Sequence, residues 1–149
     1  MLPELLAALV LLAICVAIHA ACLAAVILRF VGVAPHSGPG FFPGAWLLVR
    51  VAWWLVFSHL IQIGVWALFY WFMRCLPDLE TSLYFSVVTY STLGYGDVVL
   101  DRGWRLLAGI EALAGILMCG LSTAFFFAVV SRIRGVLLQI EDRGAAPQA

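Results

Sequence analysis

Thr-Tyr-Ser-Thr-Leu-Gly-Tyr-Gly-Asp, residues 89–97, lies between two long apolar segments of the chain. Glycine occupies alternate positions of this stretch, at Gly94 and Gly96. A strand that turns successive backbone carbonyls toward one axis needs a positive φ at every second residue, and glycine adopts such angles at no steric cost. The stretch therefore predicts a short strand whose carbonyls face a common axis.

The residues before this strand predict a short helix. Pro77 and Asp78 precede the segment 79–90, and Glu80 lies in its first turn. A capping aspartate followed by acidic charge is typical of a helix N-terminus. The segment has only about three turns, so it can enter a bilayer but not cross it. Its C-terminal end then directs the negative end of the helix dipole toward the membrane centre, where it stabilises a cation.

Residues 92–97, called the filter strand below, resemble the signature of the potassium-channel family, whose core is Thr-x-Gly-Tyr-Gly-Asp. In that family a ring of carbonyls replaces the hydration shell of K⁺. The resemblance implies that the carbonyls of Thr92, Leu93, Gly94 and Tyr95, with the Thr92 hydroxyl, coordinate K⁺, and that Gly96 completes the filter. It also implies that the Tyr95 ring packs outward against the pore helix. An ordinary turn would explain the two glycines, but not their combination with Thr92, Tyr95 and Asp97.

Neighbouring residues refine this expectation. Leu93 stands where valine is commoner, and its side chain is expected to face away from the ions. Tyr95 distinguishes the strand from non-selective relatives, which often carry an acidic residue there. Val88 occupies a position where some bacterial channels have a glutamate, so no Glu–Asp pair with Asp97 is expected. The residues predicted to support the filter are Tyr84, Val88, Thr89, Asp97 and Glu111.

The composition indicates an integral membrane protein. Of 149 residues, 65% are hydrophobic and 11% are charged, and the mean hydropathy is +1.10. Eight basic residues, all arginine, balance eight acidic ones, so a basic surface that binds nucleic acid is not expected. The four cysteines include no Cys-x-x-Cys pair, so neither a metal site nor a disulfide framework is expected. Cys75 alone falls in a loop, where a free thiol is favoured over an intersubunit bridge.

Three segments are long enough to cross a bilayer: Leu5–Leu28, Val51–Phe72 and Leu106–Val130. The first is interpreted as a retained helix rather than a signal peptide, because it lacks a basic start and its apolar run is too long. The predicted organisation is an N-terminal helix (1–30), a cytoplasmic Pro/Gly linker (31–44), a pore domain (45–134) and a short cytoplasmic tail (135–149). Within the pore domain we expect an outer helix at 51–72, a pore helix at 79–90, a filter at 92–97 and an inner helix at 106–130.

The arginines predict the orientation. Arg29, Arg50, Arg132, Arg134 and Arg143 fall on one side, and Arg74, Arg102 and Arg105 on the other. The larger group favours a cytoplasmic side, which places the N-terminus outside and the C-terminus in the cytoplasm of a cell (inner or plasma) membrane.

The inner helix carries glycines whose role the sequence leaves open. Gly115 matches the hinge glycine of the family, with one residue fewer between filter and helix. Close packing of small residues explains Gly115 and Gly120 equally well. Ile116, Cys119 and Thr123 are spaced three and four apart, so they share a face that is expected to line a water-filled cavity.

Polar residues also occur at membrane depth. Glu111 is expected either to brace the filter through a hydroxyl of Ser82, Ser86 or Tyr84, or to act as a proton-sensitive gate. His19 lies at the same depth as His59 and Gln62, so a contact between them is expected to dock the first helix.

The sequence therefore predicts an all-α membrane protein with three transmembrane helices, a re-entrant pore helix and a filter, in which four chains form a fourfold pore. Its predicted function is passive, K⁺-selective conduction by a homotetramer in the lipid bilayer, with no cofactor and no enzymatic activity. Two alternatives remain: a weakly selective cation channel, and a non-conducting membrane subunit of a channel complex.

Overall fold

The computed structural model describes residues 2–31 and 41–145, and this part of the chain contains helices and turns but no strand pairing. Four α-helices follow one another: α1 (Leu2–Val26), α2 (Phe41–Phe72), α3 (Leu79–Tyr90) and α4 (Arg105–Ala145). Three segments are long and apolar enough to cross a membrane: Leu2–Arg29, Gly44–Phe72 and Arg105–Gly135. The predictions of an all-helical fold and of three spans in a multi-pass membrane protein are confirmed.

Helix α1 packs against both α2 and α4. Its buried side chains are Ala8, Leu11, Cys15, His19 and Val26, which recur at helical spacing on one face. His19 Nδ1 lies 3.3 Å from Gln62 Nε2, and the His19 and His59 ring centroids are 5.4 Å apart. The predicted polar contact between the first and second helices is therefore confirmed. One turn of π-helix, Ile27–Val31, follows α1.

Helix α2 ends at Phe72 as expected but begins at Phe41 rather than near Val51. Most of the predicted 31–44 linker, residues 32–40, lies outside the described residues. Its last positions, 41–44, are helical, which corrects the prediction for them. Pro43 is tolerated because it falls in the first turn, where a backbone N–H has no intrahelical partner in any case.

Helix α3 has the predicted bounds. Asp78 caps it, accepting hydrogen bonds from the Thr81 backbone N–H at 2.8 Å and the Thr81 hydroxyl at 2.9 Å. These bonds to Thr81 hold the pKa of Asp78 below its usual value, so the cap is charged at neutral pH. The connection from α2 contains Cys75, a free, half-buried cysteine whose thiol pKa is raised by burial.

Helix α4 continues to Ala145, well beyond the predicted end at residue 130. The segment 135–145, predicted as the start of a short tail, is therefore helical. Hydropathy falls after Val130, but Arg, Leu, Gln and Glu have high helix propensity, so the helix continues beyond the apolar span.

Two apolar clusters hold the helices together. One surrounds α3 and includes Trp66, Tyr70, Phe85 and Leu107. The other joins α1, α2 and α4 through Val26, Val51, Leu55 and Val129. Helix α3 is thus enclosed by protein at its back, as a helix that does not cross the membrane requires.

Candidate functional site

The filter strand has a backbone that alternates in the sign of φ. Gly94 has φ +55° and Gly96 has φ +79°, as the sequence predicted. Thr92 also has a positive φ, +63°, whereas Leu93 and Tyr95 between them do not. A β-branched residue in this region is strained, so the conformation of Thr92 extends the alternation at a cost that glycine avoids.

Hydrogen bonds tie the start of the strand to the C-terminal end of α3. The N–H of Thr92 donates to Thr89 O at 2.9 Å, and that of Leu93 donates to Val88 O at 3.0 Å. The N–H of Gly94 also faces Val88 O, at 3.3 Å. Within residues 2–31 and 41–145, no hydrogen bond is donated to the carbonyls of residues 92–96. These carbonyls are therefore available to an external ligand.

The side chains of the strand are exposed in a single protomer. Leu93 is 58% exposed and Tyr95 is 68% exposed. Helix α3 of the same chain therefore does not cover the Tyr95 ring. The predicted outward packing of this ring requires a surface of another chain.

Asp97 is held by Tyr84 of α3. The Tyr84 hydroxyl donates to Asp97 Oδ2 at 2.6 Å, and this bond keeps the pKa of Asp97 below its usual value. Val88 is buried and lines a cleft of about 290 Å³ behind the strand, which also reaches Asp97. Asp97 is thus held by a phenol one helical turn before Val88 on α3, and no carboxylate at residue 88 takes part.

Glu111 is fully buried and accepts two hydrogen bonds. The Ser86 hydroxyl donates to Oε1 at 2.5 Å, and the Tyr70 hydroxyl donates to Oε2 at 2.7 Å. Of the predicted hydroxyl partners, Ser86 is confirmed. Tyr84 and Ser82 are wrong, because Tyr84 bonds Asp97 and Ser82 bonds the Asp78 carbonyl.

Tyr70 was missed as a partner of Glu111 because it belongs to another helix, and sequence spacing carries no signal for such a contact. The Ser86 hydroxyl also lies 2.9 Å from the Ile63 carbonyl. Glu111 therefore braces α3 against both α2 and α4, directly behind the strand.

Gly115 packs against the last residue of α3. A Cβ at Gly115 would lie 2.0 Å from the Tyr90 carbonyl oxygen and 2.9 Å from its carbonyl carbon. Helix α4 runs through this position without interruption. Of the two interpretations left open for Gly115, close packing is the one that this contact supports. A Cβ at Gly120, by contrast, would meet no atom within 4 Å.

The face predicted to line a cavity lies away from the other helices of the protomer. Ile116, Cys119 and Thr123 are all exposed, and the Thr123 hydroxyl donates to the Cys119 carbonyl at 2.9 Å. Met118 and Ser122 lie on the opposite, buried face. The exposed face is therefore free to border a space shared with other chains.

Comparison with known proteins adds one finding. The sequence model of a family described as "Ion channel" matches residues 46–132. The matched segment contains most of α2, all of α3, the filter strand and the membrane-spanning part of α4, whereas α1 lies outside it. Among curated proteins and solved structures, no match to the chain is found.

Proposed function

The chain belongs to the ion channel family, and from that premise we propose that it is a K⁺-selective channel in which four copies arrange their filter strands around one axis. Membership in this family indicates ion transport rather than covalent catalysis. The more specific proposal concerns the ion and the assembly. It assigns K⁺ coordination to the carbonyls of Thr92, Leu93, Gly94 and Tyr95, with Gly96 completing the strand.

The observation that carries the proposal is the alternation of φ along the filter strand. With positive φ at Thr92, Gly94 and Gly96, and not at the residues between them, successive carbonyls face the same side of the backbone. Carbonyls that accept no hydrogen bond inside the described part of the chain are costly at membrane depth unless something coordinates them. A dehydrated monovalent cation supplies that coordination.

The geometry of one protomer supports the proposed assembly. Each chain contributes one strand, which cannot surround an ion by itself. The exposed Tyr95 ring and the exposed face at Ile116 and Cys119 gain partners when copies meet around the axis. A homotetramer in the lipid bilayer closes such a ring, with the face of α4 bordering the water-filled cavity.

The proposed orientation rests on the arginines. Arg29, Arg50, Arg132 and Arg134 flank one end of the spans, whereas Arg74, Arg102 and Arg105 flank the other. The larger group is proposed to be cytoplasmic in the cell membrane, so that the filter opens to the outside. Conduction through carbonyls needs no cofactor.

The test is an ion flux assay on the full chain in proteoliposomes. Tl⁺ or Rb⁺ uptake is measured for the wild type and for Gly94→Ala, in which a Cβ is strained at φ +55°. Gly64→Ala is the matched control, because a Cβ there meets nothing within 4 Å and its φ is ordinary. We expect uptake that Ba²⁺ blocks and Na⁺ does not replace in the wild type and in Gly64→Ala, and none in Gly94→Ala.

Two results would count against the proposal in different ways. Equal uptake of Na⁺ and Rb⁺ would indicate a weakly selective cation channel. No uptake, together with a monomeric mass or a heteromer, would indicate a non-conducting subunit. The mass is best measured by native mass spectrometry, because the chain has no lysine for amine-reactive cross-linkers.

A further inference from the structure

Five side chains, contributed by all four helices, form a closed ring of hydrogen bonds, called the polar ring below: His19 (α1), His59 and Gln62 (α2), Tyr90 (α3) and Ser122 (α4). The Tyr90 hydroxyl lies 3.0 Å from both His59 Nδ1 and Gln62 Oε1. His59 Nε2 lies 3.0 Å from Ser122 Oγ. His19 closes the ring, with Nε2 3.4 Å from Ser122 Oγ and Nδ1 3.3 Å from Gln62 Nε2. His59 is half-buried and the other four are buried.

The direction of the first bonds is fixed by one acceptor outside the ring. Gln62 Nε2 lies 3.2 Å from the Ser58 carbonyl oxygen, which can only accept, so the amide nitrogen must be on that side. Gln62 Oε1 is then an acceptor, and the Tyr90 hydroxyl must donate to it. Because that hydroxyl has a single hydrogen, His59 must donate to Tyr90 from Nδ1.

The remaining bonds follow in the same sense. A neutral His59 with its proton on Nδ1 accepts at Nε2, so the Ser122 hydroxyl donates to it. Ser122 Oγ then accepts from Nε2–H of His19. His19 Nδ1 accepts from Gln62 Nε2–H, which closes the ring, and Ser58 Oγ lies beside this bond, 3.4 Å from His19 Nδ1 and 3.2 Å from Gln62 Nε2. Every member donates once and accepts once, an arrangement in which hydrogen bonds strengthen one another.

Tyr90 connects the polar ring to the filter strand. It is the last residue of α3, is 3% exposed, and precedes Thr92 by two positions. Its hydroxyl is held by His59 and Gln62, while its carbonyl packs against Gly115. Tyr90 therefore anchors the C-terminal end of α3 twice, through its side-chain hydroxyl and through its backbone carbonyl.

We propose that His19 is a positioning residue for selectivity: by closing the polar ring, α1 fixes Tyr90 and thereby the spacing of the filter carbonyls. This inference rests on the proposed K⁺-selective function. It gives α1, which lies outside the family match at residues 46–132, a role in permeation as well as in packing.

Loss of His19 would leave buried polar groups with fewer hydrogen-bond partners. Without His19, the Ser122 oxygen loses the donor that polarises its bond to His59, and Gln62 Nε2 is left with Ser58 alone, whose Oγ and carbonyl oxygen each lie 3.2 Å away. Inside a membrane protein, no bulk water replaces those partners. Gln62 and His59 then lose the link that joins them through α1, and the Tyr90 hydroxyl is held less firmly by these two partners.

The experiment measures the reversal potential of the full chain in planar bilayers with K⁺ on one side and Na⁺ on the other. This gives the permeability ratio, which is independent of how many channels fold and insert. His19→Ala removes the closing residue, while His19→Gln keeps one donor and one acceptor. Val26→Ala is the control, since Val26 is a fully buried residue of α1 that packs against α2 and α4 without a hydrogen bond.

We expect His19→Ala to lower the K⁺/Na⁺ permeability ratio about threefold, the size of one average interhelical hydrogen bond in a membrane. His19→Gln and Val26→Ala should keep the wild-type ratio. Ser122→Ala breaks the same His19–Ser122 bond from the α4 side, so its permeability ratio should match that of His19→Ala. The double variant should lower the ratio no further. If His19→Ala yields no channels, the permeability ratio of Ser122→Ala tests the inference in its place.

Three outcomes overturn parts of the reasoning separately. A selective wild type whose ratio is unchanged by both His19→Ala and Ser122→Ala refutes the inference alone. An equal loss in Val26→Ala refutes it as well, because general docking of α1 would then suffice. A wild-type ratio near one refutes the proposed K⁺ selectivity, and the inference with it.

Discussion

Gly115→Ala is expected to force α4 away from Tyr90, the last residue of α3 before the filter strand. The new Cβ would lie 2.0 Å from the Tyr90 carbonyl oxygen, whereas real Cβ contacts stay above 3.0 Å, so α3 and α4 must separate by about 1 Å. The obstacle is backbone, so no rotamer change relieves it. Overpacking of this kind costs about 3 kcal/mol. Alanine regains about 1 kcal/mol of helix propensity, which leaves a net loss of about 2 kcal/mol.

The loss is measured as the midpoint of thermal unfolding of the purified full chain, followed by circular dichroism. For a chain of this size, about 2 kcal/mol corresponds to a decrease of roughly 4–8 °C. Gly109→Ala is the matched control on the same helix, because a Cβ there meets nothing within 4 Å, and it should keep or raise the midpoint. Selective Tl⁺ flux should fall in Gly115→Ala as well, since Tyr90 leads directly into the filter strand.

A Gly115→Ala protein with the wild-type midpoint would refute this reasoning. If such a protein also conducted abnormally, Gly115 would act as a hinge during opening and not as a packing site. A decrease in midpoint that Gly109→Ala shares would instead mean that α4 tolerates no additional methyl group, and that the Tyr90 contact is not special.

Three other perturbations test the supports of the filter. Glu111→Ala leaves the buried Tyr70 hydroxyl without an acceptor and should lower stability by about 2 kcal/mol, whereas Glu111→Gln, which keeps an acceptor oxygen, should lower it less; equal midpoints for the two variants would contradict this. The lowered pKa of Asp97 comes from the Tyr84 hydroxyl, so the bond stabilises the fold above the usual pKa of an aspartate and is lost as pH falls through the lowered one. The midpoint difference between wild type and Tyr84→Phe should therefore be constant from pH 7 to about pH 5 and vanish in stronger acid; a difference that persists there would contradict it. Asp78→Ala should lower the midpoint by removing the cap of α3 while Asp78→Asn keeps it, and circular dichroism of both variants decides.

The sequence predicted best where local chemistry decides the structure. The start of α3 follows from Pro77 and Asp78, which act within one turn of where they stand. The positive φ of Gly94 and Gly96 follows from the absence of a Cβ. Thr92 was not predicted to share that conformation, because a β-branched residue adopts it only when the surrounding structure holds it there.

The predictions that failed depend on distant parts of the chain or on the membrane. The predicted start of α2 is too late because Pro43 and Gly44 are typical of a linker, although the first turn of a helix accepts a proline. Hydropathy marks where α4 leaves the apolar region but not where the helix ends. The Tyr70–Glu111 bond joins residues far apart in sequence and leaves no periodic signal. Within the polar ring, matching depths predicted the contact of His19 with His59 and Gln62, but nothing in the sequence indicated that Tyr90 and Ser122 join it.

Helix α4 is much longer than a membrane is thick. Its 41 residues span about 60 Å, twice the roughly 30 Å of bilayer hydrocarbon. The same uninterrupted rod touches Tyr90 through Gly115 and ends about 45 Å away at Ala145. From Gly115, helix α4 therefore extends a short distance toward Arg105 and a much longer one toward Ala145. A tilt of about 5° about Gly115 sweeps the far end through about 4 Å, so a small change in the angle of α4 at Tyr90 becomes a displacement of several ångströms at Ala145.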